Sequence, residues 1–546
     1  MRRGARGMRI AHPRAMHRRT LLTTFGLAPF LNASRAAGAG LWPDAGTQPA
    51  SAAAPDIELA LTAAPAELAL LPGAPTRVWR FTGQVIKGPA ATLQALDESY
   101  LGPVIRLVRG QRVRIRFENR LPEPSIVHWH GLDVPEAADG HPRLAVNAGA
   151  SYVYDFTVTN RAGTYWYHPH PHMRTGPQVY QGLAGMLIVT DPEEQALHLP
   201  SGDSELVCVL QDRRFDASNQ FLYPNGAPAP ASGGAMRGMG RGRGGMGMGG
   251  GMGMGQTMEL MNGWLGSRML VNGRVQPTRE VGRRTYRVRL LNGSNARFYK
   301  LAWSDGTAMT VIGNDGGLLE RPRELKALTL APGQRADVML DLSAHAPGST
   351  VELRSLAFDE SAIGRVGMMG ETSPVPQGAP LSLMTLHVSG PAGPRVPVPA
   401  RLPAHNVRAA ANVPVRRVPI TFMQMNWLLD GRTFEMDGVT GAETVAPGST
   451  HIWELVNQPN PMGMMAAHPI HVHGPQFRVL SRSGGAANAL REGIHDQGWT
   501  DTVVVLPGET VRVQITFSMH PGLYLYHCHI LEHEDMGMMR NFRIRR

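Results

Sequence analysis

The sequence predicts an all-β protein built from three similar β-sandwich domains. Gly and Pro are abundant, with 63 and 43 copies among 546 residues, and long stretches of helical periodicity are hard to find. One alternating pattern also recurs three times. Each copy places apolar residues or Tyr 3, 5, 7 and 9 positions after a glycine, as a half-buried strand would. The three glycines are Gly149, Gly333 and Gly508.

A second repeated element precedes each copy of the first. It consists of a glycine, an alternating strand and an asparagine, which is Asn119, Asn292 or Asn457. Two repeated strands per unit indicate one sandwich per unit. The predicted domains are 55–195, 200–395 and 405–546. The Pro-rich stretch 391–418 is interpreted as the linker between the second and third domains.

The basic charge is concentrated in the leader. The formal net charge is +11, but residues 1–40 hold eight arginines and no acid, so the remainder is only +3. A nucleic-acid partner is therefore not expected. Residues 1–40 contain the pair Arg18 and Arg19, a short apolar run and then small residues, which resembles a twin-arginine export signal.

The leader predicts export by the twin-arginine machinery to the periplasm, or export by another route. That machinery carries folded proteins, which suits a protein that acquires its cofactor before export. No other segment has about 18 uninterrupted apolar residues, so stable membrane insertion is not expected. We expect a monomer.

The chain has two cysteines, Cys208 and Cys528. In an exported protein they could form one disulfide. Cys208, however, lies in the apolar run "ELVCVL" and is interpreted as a small core residue. Cys528 is flanked by histidines and needs another explanation.

The repeat carries histidines in only two of its three copies. Nineteen positions after Gly149 and Gly508 lie His168 and His527, whereas the same offset from Gly333 gives Glu352. The first and third domains therefore have matching histidine pairs. We expect these histidines to meet across an interface, with the second domain as a spacer.

Four histidine clusters, "VHWHG", "YHPH", "HPIHVHG" and "HCHILEH", indicate a site for several metal ions. Residues two apart in a strand face the same side, so each HxH pair directs two imidazoles to one point. One such pair arises by chance or for structural reasons, but four in one chain are a strong signal. The histidines are His128, His130, His168, His170, His468, His471, His473, His527, His529 and His533.

Cys528 points to the opposite face from His527 and His529, so it is expected to bind a different metal ion. One Cys, two His and a weak Met form the ligand set of a blue copper site. His468 is the natural second imidazole beside His533, and Met538 follows His533 by five residues. Zinc also binds Cys and His, but it would not need the other histidines.

The motifs HWHG, HPH, HPxHxHG and HCHxxxHxxxxM, in this order, resemble those of the multicopper oxidases over essentially the whole mature chain. The resemblance implies three cupredoxin-like Greek-key β-sandwich domains and four copper ions. It also implies that electrons taken from a reductant reduce dioxygen to water. The implied ligands are His468, Cys528, His533 and axial Met538 for type 1; His128 and His471 for type 2; and His130, His168, His529 with His170, His473, His527 for the type 3 pair.

Two acids match residues that supply protons in this family, Asp139 and Glu534. A buried carboxyl can hold a proton near neutral pH. His141, His172 and His495 lie near the motifs but outside the ligand pattern. They are expected at the surface or behind the ligands.

A Met/Gly-rich insertion at 233–261 in the second domain favours Cu(I) as the substrate, because thioethers are soft ligands. Its composition predicts a mobile loop. The cuprous-oxidase branch of the family uses Met and Asp ligands near type 1. Candidate substrate ligands are Met246, Met248, Met252, Met254, Met368, Met369, Met462, Met464 and Met465. Asp359 or Glu360 could add an acidic ligand, and the expected physiological role is copper tolerance.

Two alternatives remain. One is a laccase that oxidises phenols, in which the insertion is incidental. The other is a non-enzymatic periplasmic copper-binding protein on the same fold, although such relatives usually lose copper ligands and this chain retains them.

Overall fold

The computed structural model describes residues 53–224, 254–365, 373–403 and 412–546. The predicted export signal and residues 233–253 of the insertion lie outside these ranges. The described residues belong to one compact unit. In these ranges no helix is long and apolar enough to span a membrane.

The first sandwich packs a sheet of order β2-β1-β5-β7 against a sheet of order β3-β4-β9-β8-β6. Its strands are β1 (Ile57–Leu68), β2 (Thr76–Lys87), β3 (Leu93–Gln94), β4 (Val104–Val108), β5 (Arg112–Asn119), β6 (Val127–His130), β7 (Ser151–Thr157), β8 (Gly163–Pro169) and β9 (Gly185–Thr190). Three short helices accompany them: α1 (Glu136–Asp139), α2 (Thr175–Tyr180) and α3 (Pro192–Gln195).

The second sandwich has sheets of seven and five strands. Its strands are β10 (Glu205–Arg213), β11 (Arg268–Val271), β12 (Arg274–Val275), β13 (Thr278–Arg283), β14 (Thr285–Asn292), β15 (Tyr299–Trp303), β16 (Met309–Asn314), β17 (Gly317–Leu325), β18 (Leu328–Leu330), β19 (Arg335–Asp341), β20 (Ser349–Ser355), β21 (Gly364–Arg365) and β22 (Leu381–Ala392). Residues 254–261, predicted as part of a mobile loop, instead lie in the helix α4 (Met254–Asn262).

The third sandwich has two five-stranded sheets. Its elements are β23 (Val415–Met423), β24 (Asn426–Leu429), β25 (Thr444–Val445), β26 (Thr450–Asn457), β27 (Met465–Ala466), β28 (His468–Val472), β29 (Phe477–Gly484), β30 (Thr502–Val505), β31 (Glu509–Thr516), β32 (Gly522–Cys528), α5 (Leu531–Asp535) and β33 (Met539–Ile544). Short strand β27 pairs with β21 of the second sandwich. The predicted linker 391–418 begins within β22 and ends within β23, so its two ends are strand residues. The exact domain boundaries stay predictions.

The two repeated sequence elements form neighbouring antiparallel strands in every sandwich. The pairs are β5 with β7, β14 with β19, and β26 with β31. In each sandwich the earlier strand also pairs in parallel with the first long strand, which is β1, β10 or β23. The alternation therefore predicted these strands correctly, since each buries one face in its own core.

The repeated asparagine ends the strand in each unit and is buried. The side-chain amide of Asn119 donates to the carbonyls of Glu123 and Val146. Asn292 and Asn457 donate to two and three backbone carbonyls in the same way. Each asparagine thus satisfies buried backbone acceptors where the chain leaves the sheet.

Candidate metal centre

The four histidines of the first sandwich come from two adjacent antiparallel strands. His128 of β6 lies opposite His168 of β8. His130 and His170 lie two positions further along the chain on the same sides. All four side chains are fully buried.

The third sandwich presents histidines in the same way. His471 of β28 lies opposite His527 of β32. His473 and His529 follow two positions later, and all four are fully buried. The two sandwiches therefore direct two similar histidine sets at one another.

These eight histidines meet at the interface, as predicted. Nε2 of His128 lies 3.4 Å from Nε2 of His471. Nε2 of His527 lies 3.3 Å from Nε2 of His170 and 3.2 Å from Nε2 of His473. Three trios have ligand atoms within 4.8 Å of one another: His128, His130, His471; His130, His168, His529; and His170, His473, His527.

Backbone carbonyls fix the tautomers of several rings. Nδ1 of His128 lies 2.6 Å from the Asp139 carbonyl oxygen, and Nδ1 of His471 lies 2.8 Å from that of Asp501. A carbonyl only accepts, so these Nδ1 atoms carry the protons and the Nε2 lone pairs face the centre. Within the described ranges, both ring nitrogens of His529 and Nε2 of His168 are buried without a hydrogen-bond partner. A neutral imidazole has one nitrogen with a free lone pair, and a buried lone pair without a donor fits a bound cation.

Cys528 lies in a second, smaller site. Its Sγ is 3.5 Å from Nδ1 of His468 and 3.6 Å from Nδ1 of His533. Met538 is fully buried, its N–H donates to the His533 carbonyl and its carbonyl accepts from the Cys528 N–H. A thiolate, two imidazoles and a nearby thioether are the donor set of a blue copper site.

Burial sets the protonation of both sites. It lowers the pKa of every candidate histidine for which a shift is resolved, for example to about 3 in His168 and His533, so these imidazoles are neutral and able to bind metal at neutral pH. Burial also raises the pKa of the Cys528 thiol. A bound cation would be needed to hold it as a thiolate.

Comparison with known proteins identifies the family. Family models described as multicopper oxidase match residues 80–194, 239–349 and 408–546. A crystal structure of the McoA multicopper oxidase from Aquifex aeolicus is 33% identical with a TM-score of 0.71, covering 90% of this chain and 97% of that chain. The chain belongs to the multicopper oxidase family.

Relatives of this oxidase carry several names. A multicopper oxidase from Staphylococcus aureus is 28% identical over 84% of this chain and 85% of its own length. A laccase from Bacillus subtilis is 29% identical over 85% of this chain and 90% of its own. Bilirubin oxidase and cell division protein are further names among relatives of similar identity. Membership of this family establishes that the protein is an oxidoreductase with copper cofactors. It does not specify which reducing substrate the protein oxidises.

The two predicted proton donors of the oxidase both contact candidate ligands. Asp139 is fully buried, with Oδ2 2.8 Å from Nδ1 of His473. Burial raises the pKa of Asp139 well above its usual range, and Glu136 and Asp133 add to the effect. This shift favours the protonated form of the Asp139 carboxyl in the metal-free protein.

Glu534 differs from Asp139 in the direction of its pKa shift. Its carboxylate lies 3.4 Å from Nε2 of His170 and 3.2 Å from Nδ1 of His527. Burial acts to raise its pKa, but its interactions with these two histidines and a hydrogen bond with Thr175 outweigh burial and lower it to about 2. The contacts of Glu534 thus favour the ionised form, which accepts protons.

Sequence reasoning missed Asp501 and Arg335. Asp501 Oδ1 lies 2.9 Å from Nε2 of His130, and Arg335 of the second sandwich binds both carboxylate oxygens of Asp501. The positive guanidinium holds the pKa of Asp501 below its usual range despite burial. No local motif marks this pair, since its members lie 166 positions apart in the chain.

The three histidines outside the ligand pattern lie around the site. His141 is fully buried, and its Nε2 donates to Asn541. His172 is half-buried against Phe434, and His495 is half-buried at the edge of a cavity. His141 therefore belongs behind the ligands, and none of the three joins a candidate trio in the described residues.

Three of the methionine candidates lie in the segment that precedes His468. Met464 packs against the third core, Met465 lies in β27, and Met462 is exposed. Strand β21, which follows Asp359 and Glu360, pairs with Met465. Met254 is the first residue of α4, and the structure describes its backbone only. Met246, Met248, Met252, Met368 and Met369 lie outside the described residues.

Proposed function

We propose that the protein is a cuprous oxidase, which couples oxidation of Cu(I) to Cu(II) with four-electron reduction of dioxygen to water. Four coppers would be held by the ligand sets implied by the sequence motifs. His468, Cys528, His533 and Met538 would hold type 1, and His128 with His471 would hold type 2. The trio around His529 and the trio around His527 would hold the type 3 pair.

The donor atoms of this chain fit these ions. The two type 3 trios offer only imidazole nitrogens, and the cysteine site adds one thiolate. Bound copper supplies one-electron redox chemistry and the reduction of dioxygen. The chain itself orients the imidazoles, and His527 and His529 join the Cys528 site to the histidine cluster through one peptide unit each.

The observation that favours Cu(I) is the closed surface over the cysteine site. His468 and His533 are 0% exposed. The Trp427 ring centroid lies 4.4 Å from that of His468, and the Met261 carbonyl accepts from Nε2 of His533. Met261 lies in the last turn of α4, the end of the methionine-rich insertion. A small soft ion delivered by thioethers suits this site better than a bulky phenol.

A laccase is the second candidate, and relatives named laccase support it. A phenol would need direct approach to a type 1 histidine, which the contacts of Trp427 and Met261 oppose. A non-enzymatic copper-binding role is less favoured, because all ten candidate histidines and Cys528 are present.

The twin-arginine leader supports export to the periplasm, where oxidation of Cu(I) would serve copper tolerance. The reaction itself needs only dioxygen and a reductant as partners, and the monomer stays a prediction.

Oxygen consumption by the copper-loaded protein, with Cu(I) and then a phenol, tests the proposal. One variant lacks residues 236–252 and keeps α4. A matched variant keeps the length and removes the same thioethers by replacing five methionines with Leu: Met236, Met239, Met246, Met248 and Met252.

Rapid Cu(I) oxidation that falls in both variants, with phenol oxidation unchanged or increased, supports a cuprous oxidase with a thioether-dependent insertion. Poor Cu(I) oxidation that neither variant changes would favour the laccase. A loss on deletion but not on Met→Leu substitution would contradict the role of the thioethers.

A further inference from the structure

A small polar cavity lies between the second and third sandwiches beside the histidine cluster. Its volume is about 30 Å³, which is room for roughly two water molecules. On the outer side its lining includes exposed Gln497 and half-buried His495 and Asp496, and on the inner side buried Asp315 and Thr502. The cavity therefore leads from solvent toward the cluster.

Asp315 is a buried acid that the proposed mechanism has not used. Its Oδ1 accepts the N–H of Arg335 at 2.6 Å, and its Oδ2 accepts the hydroxyl of Thr500. Burial raises the pKa of Asp315 to about 7; the Arg335 guanidinium opposes this shift and the Asp501 carboxylate adds to it. Asp315 can therefore bind or release a proton near neutral pH.

Thr502 connects the cavity to the cluster. Its hydroxyl oxygen lies 3.3 Å from Nε2 of His130 and 3.3 Å from Nδ1 of His471. It also lies 2.9 Å from Oδ1 of Asp501. The other two acids contact different histidines: Asp139 contacts His128 and His473, and Glu534 contacts His170 and His527.

The charged groups that face Asp315 come from both sandwiches. Arg335 and Asp501 lie on the inner side. On the outer side the guanidinium of Arg482 is paired with Asp496 and Glu509. Burial lowers the pKa of His495 to about 4, so His495 is neutral at pH 7.

We propose that the cavity is a third route for protons to the histidine cluster, in which Asp315 donates a proton through cavity water to the Thr502 hydroxyl. This inference rests on the proposed reduction of dioxygen, which consumes protons. Thr502 receives one proton from that water and passes its own hydroxyl proton to Oδ1 of Asp501, 2.9 Å away. Asp501 lies against Nε2 of His130 at the edge of the cluster, where the reduction of dioxygen consumes the proton. Asp315 is left as a carboxylate beside Arg335 and regains a proton from solvent past Asp496 and Gln497. No electron moves along this route.

The test compares Asp315→Asn, which keeps the shape but cannot donate a carboxyl proton, with Asp315→Glu, which restores the acid. The matched control is Asp305→Asn on the surface of the same sandwich. The fully reduced copper-loaded protein is mixed with dioxygen, and its reoxidation is followed from about pH 6 to pH 8, in H₂O and in D₂O. Anaerobic reduction of the type 1 site is measured separately.

We expect Asp315→Asn to slow reoxidation about tenfold and to change its pH profile, since positioned acids typically contribute ~10²-fold or more and two other routes remain. Type 1 reduction should be unchanged, and Asp315→Glu should restore most of the rate. Unchanged reoxidation and an unchanged solvent isotope effect in Asp315→Asn would overturn the inference. Failure of the unmutated protein to consume dioxygen with any reductant would instead overturn the proposed function.

A second measurement does not depend on bound copper. Infrared difference spectroscopy of the copper-free protein should show carboxyl titration near pH 7 from both Asp315 and Glu532. Asp315→Asn should lose the Asp315 part and keep that of Glu532. If the two proteins give the same titration, Asp315 is not the proton donor. Thr502→Val should slow reoxidation while leaving the infrared titration in place, and normal reoxidation in that variant would overturn the proposed path.

Discussion

The imidazole of His533 donates a hydrogen bond of 2.9 Å from Nε2 to the backbone carbonyl of Met261. The proton on Nε2 leaves Nδ1 to face Cys528. Trp427 donates from Nε1 to the same carbonyl at 3.0 Å. The last turn of α4 is therefore fixed to a proposed copper ligand and to the indole that covers it.

Removal of this cover should admit larger reductants. We expect Trp427→Ala to raise kcat/KM for a phenol about tenfold while Cu(I) oxidation continues, at a cost of about 3–5 kcal/mol in the free energy of unfolding. Steady-state kinetics and urea unfolding measure the two effects. Trp427→Phe is the control, because it keeps a six-membered ring while losing the five-membered part of the indole and its N–H; the lost hydrogen bond alone costs about 1 kcal/mol. Equal phenol rates in both variants would show that Trp427 does not restrict access.

The two cysteines provide a matched pair for the type 1 assignment. Cys528→Ser should remove the intense visible absorption and one copper ion and abolish oxidase activity, because a serine hydroxyl does not replace the thiolate. Cys208 is buried in β10 and is a free thiol, as predicted for a core residue. Cys208→Ser should keep colour and copper and lose about 1–3 kcal/mol of stability. Metal analysis and visible spectra distinguish them, and a coloured Cys528→Ser protein would contradict the assignment.

The titration of Glu532 should lower the free energy of unfolding of the copper-free protein as the pH rises. Tyr223 and Asn295 both donate to its Oε1, and burial raises its pKa from 4.5 to about 7. The folded state binds this proton more tightly than the unfolded state, so stability falls between pH 4.5 and about 7, by on the order of 3 kcal/mol in total.

Glu532→Gln removes this titration. The variant should therefore gain stability relative to the unmutated protein as pH rises from about 5 to about 8, as measured by urea unfolding of the copper-free proteins. Exposed Glu98→Gln is the control and should follow the unmutated protein at both pH values. A difference for Glu532→Gln that does not change with pH would contradict the prediction.

The repeated asparagine should stabilise the second sandwich as much as it stabilises the other two. The second sandwich carries no candidate copper trio in the described residues, so the effect on stability can be measured apart from copper binding. Asn292→Ala leaves the buried carbonyls of Arg297 and Leu330 without their donor. We expect a loss of about 2–4 kcal/mol in the free energy of unfolding, with copper content unchanged. Asn292→Asp, which keeps the acceptor oxygen, should not recover it. A loss below about 0.5 kcal/mol for Asn292→Ala would refute this role.

Much of the fold and of the candidate site could be predicted from sequence. A strand places alternate residues on one side, so the alternation in 151–157 and 509–516 marked real strands. The same rule put His527 and His529 on one face and Cys528 on the other. Equal offsets in the first and third repeats then predicted that their histidines would meet. These conclusions depend only on local periodicity, which a sequence records directly.

The remaining features depend on which distant segments pack together. The contact of Asp501 with Arg335, the cavity beside Asp315 and the hydrogen bond from His533 to Met261 each join residues from different sandwiches. The composition of the insertion predicted a loop, but residues 254–262 form a helix whose Met261 packs in the third core. Burial and charge at such interfaces decide protonation and access, and they are set by tertiary packing because no single strand or loop carries both partners.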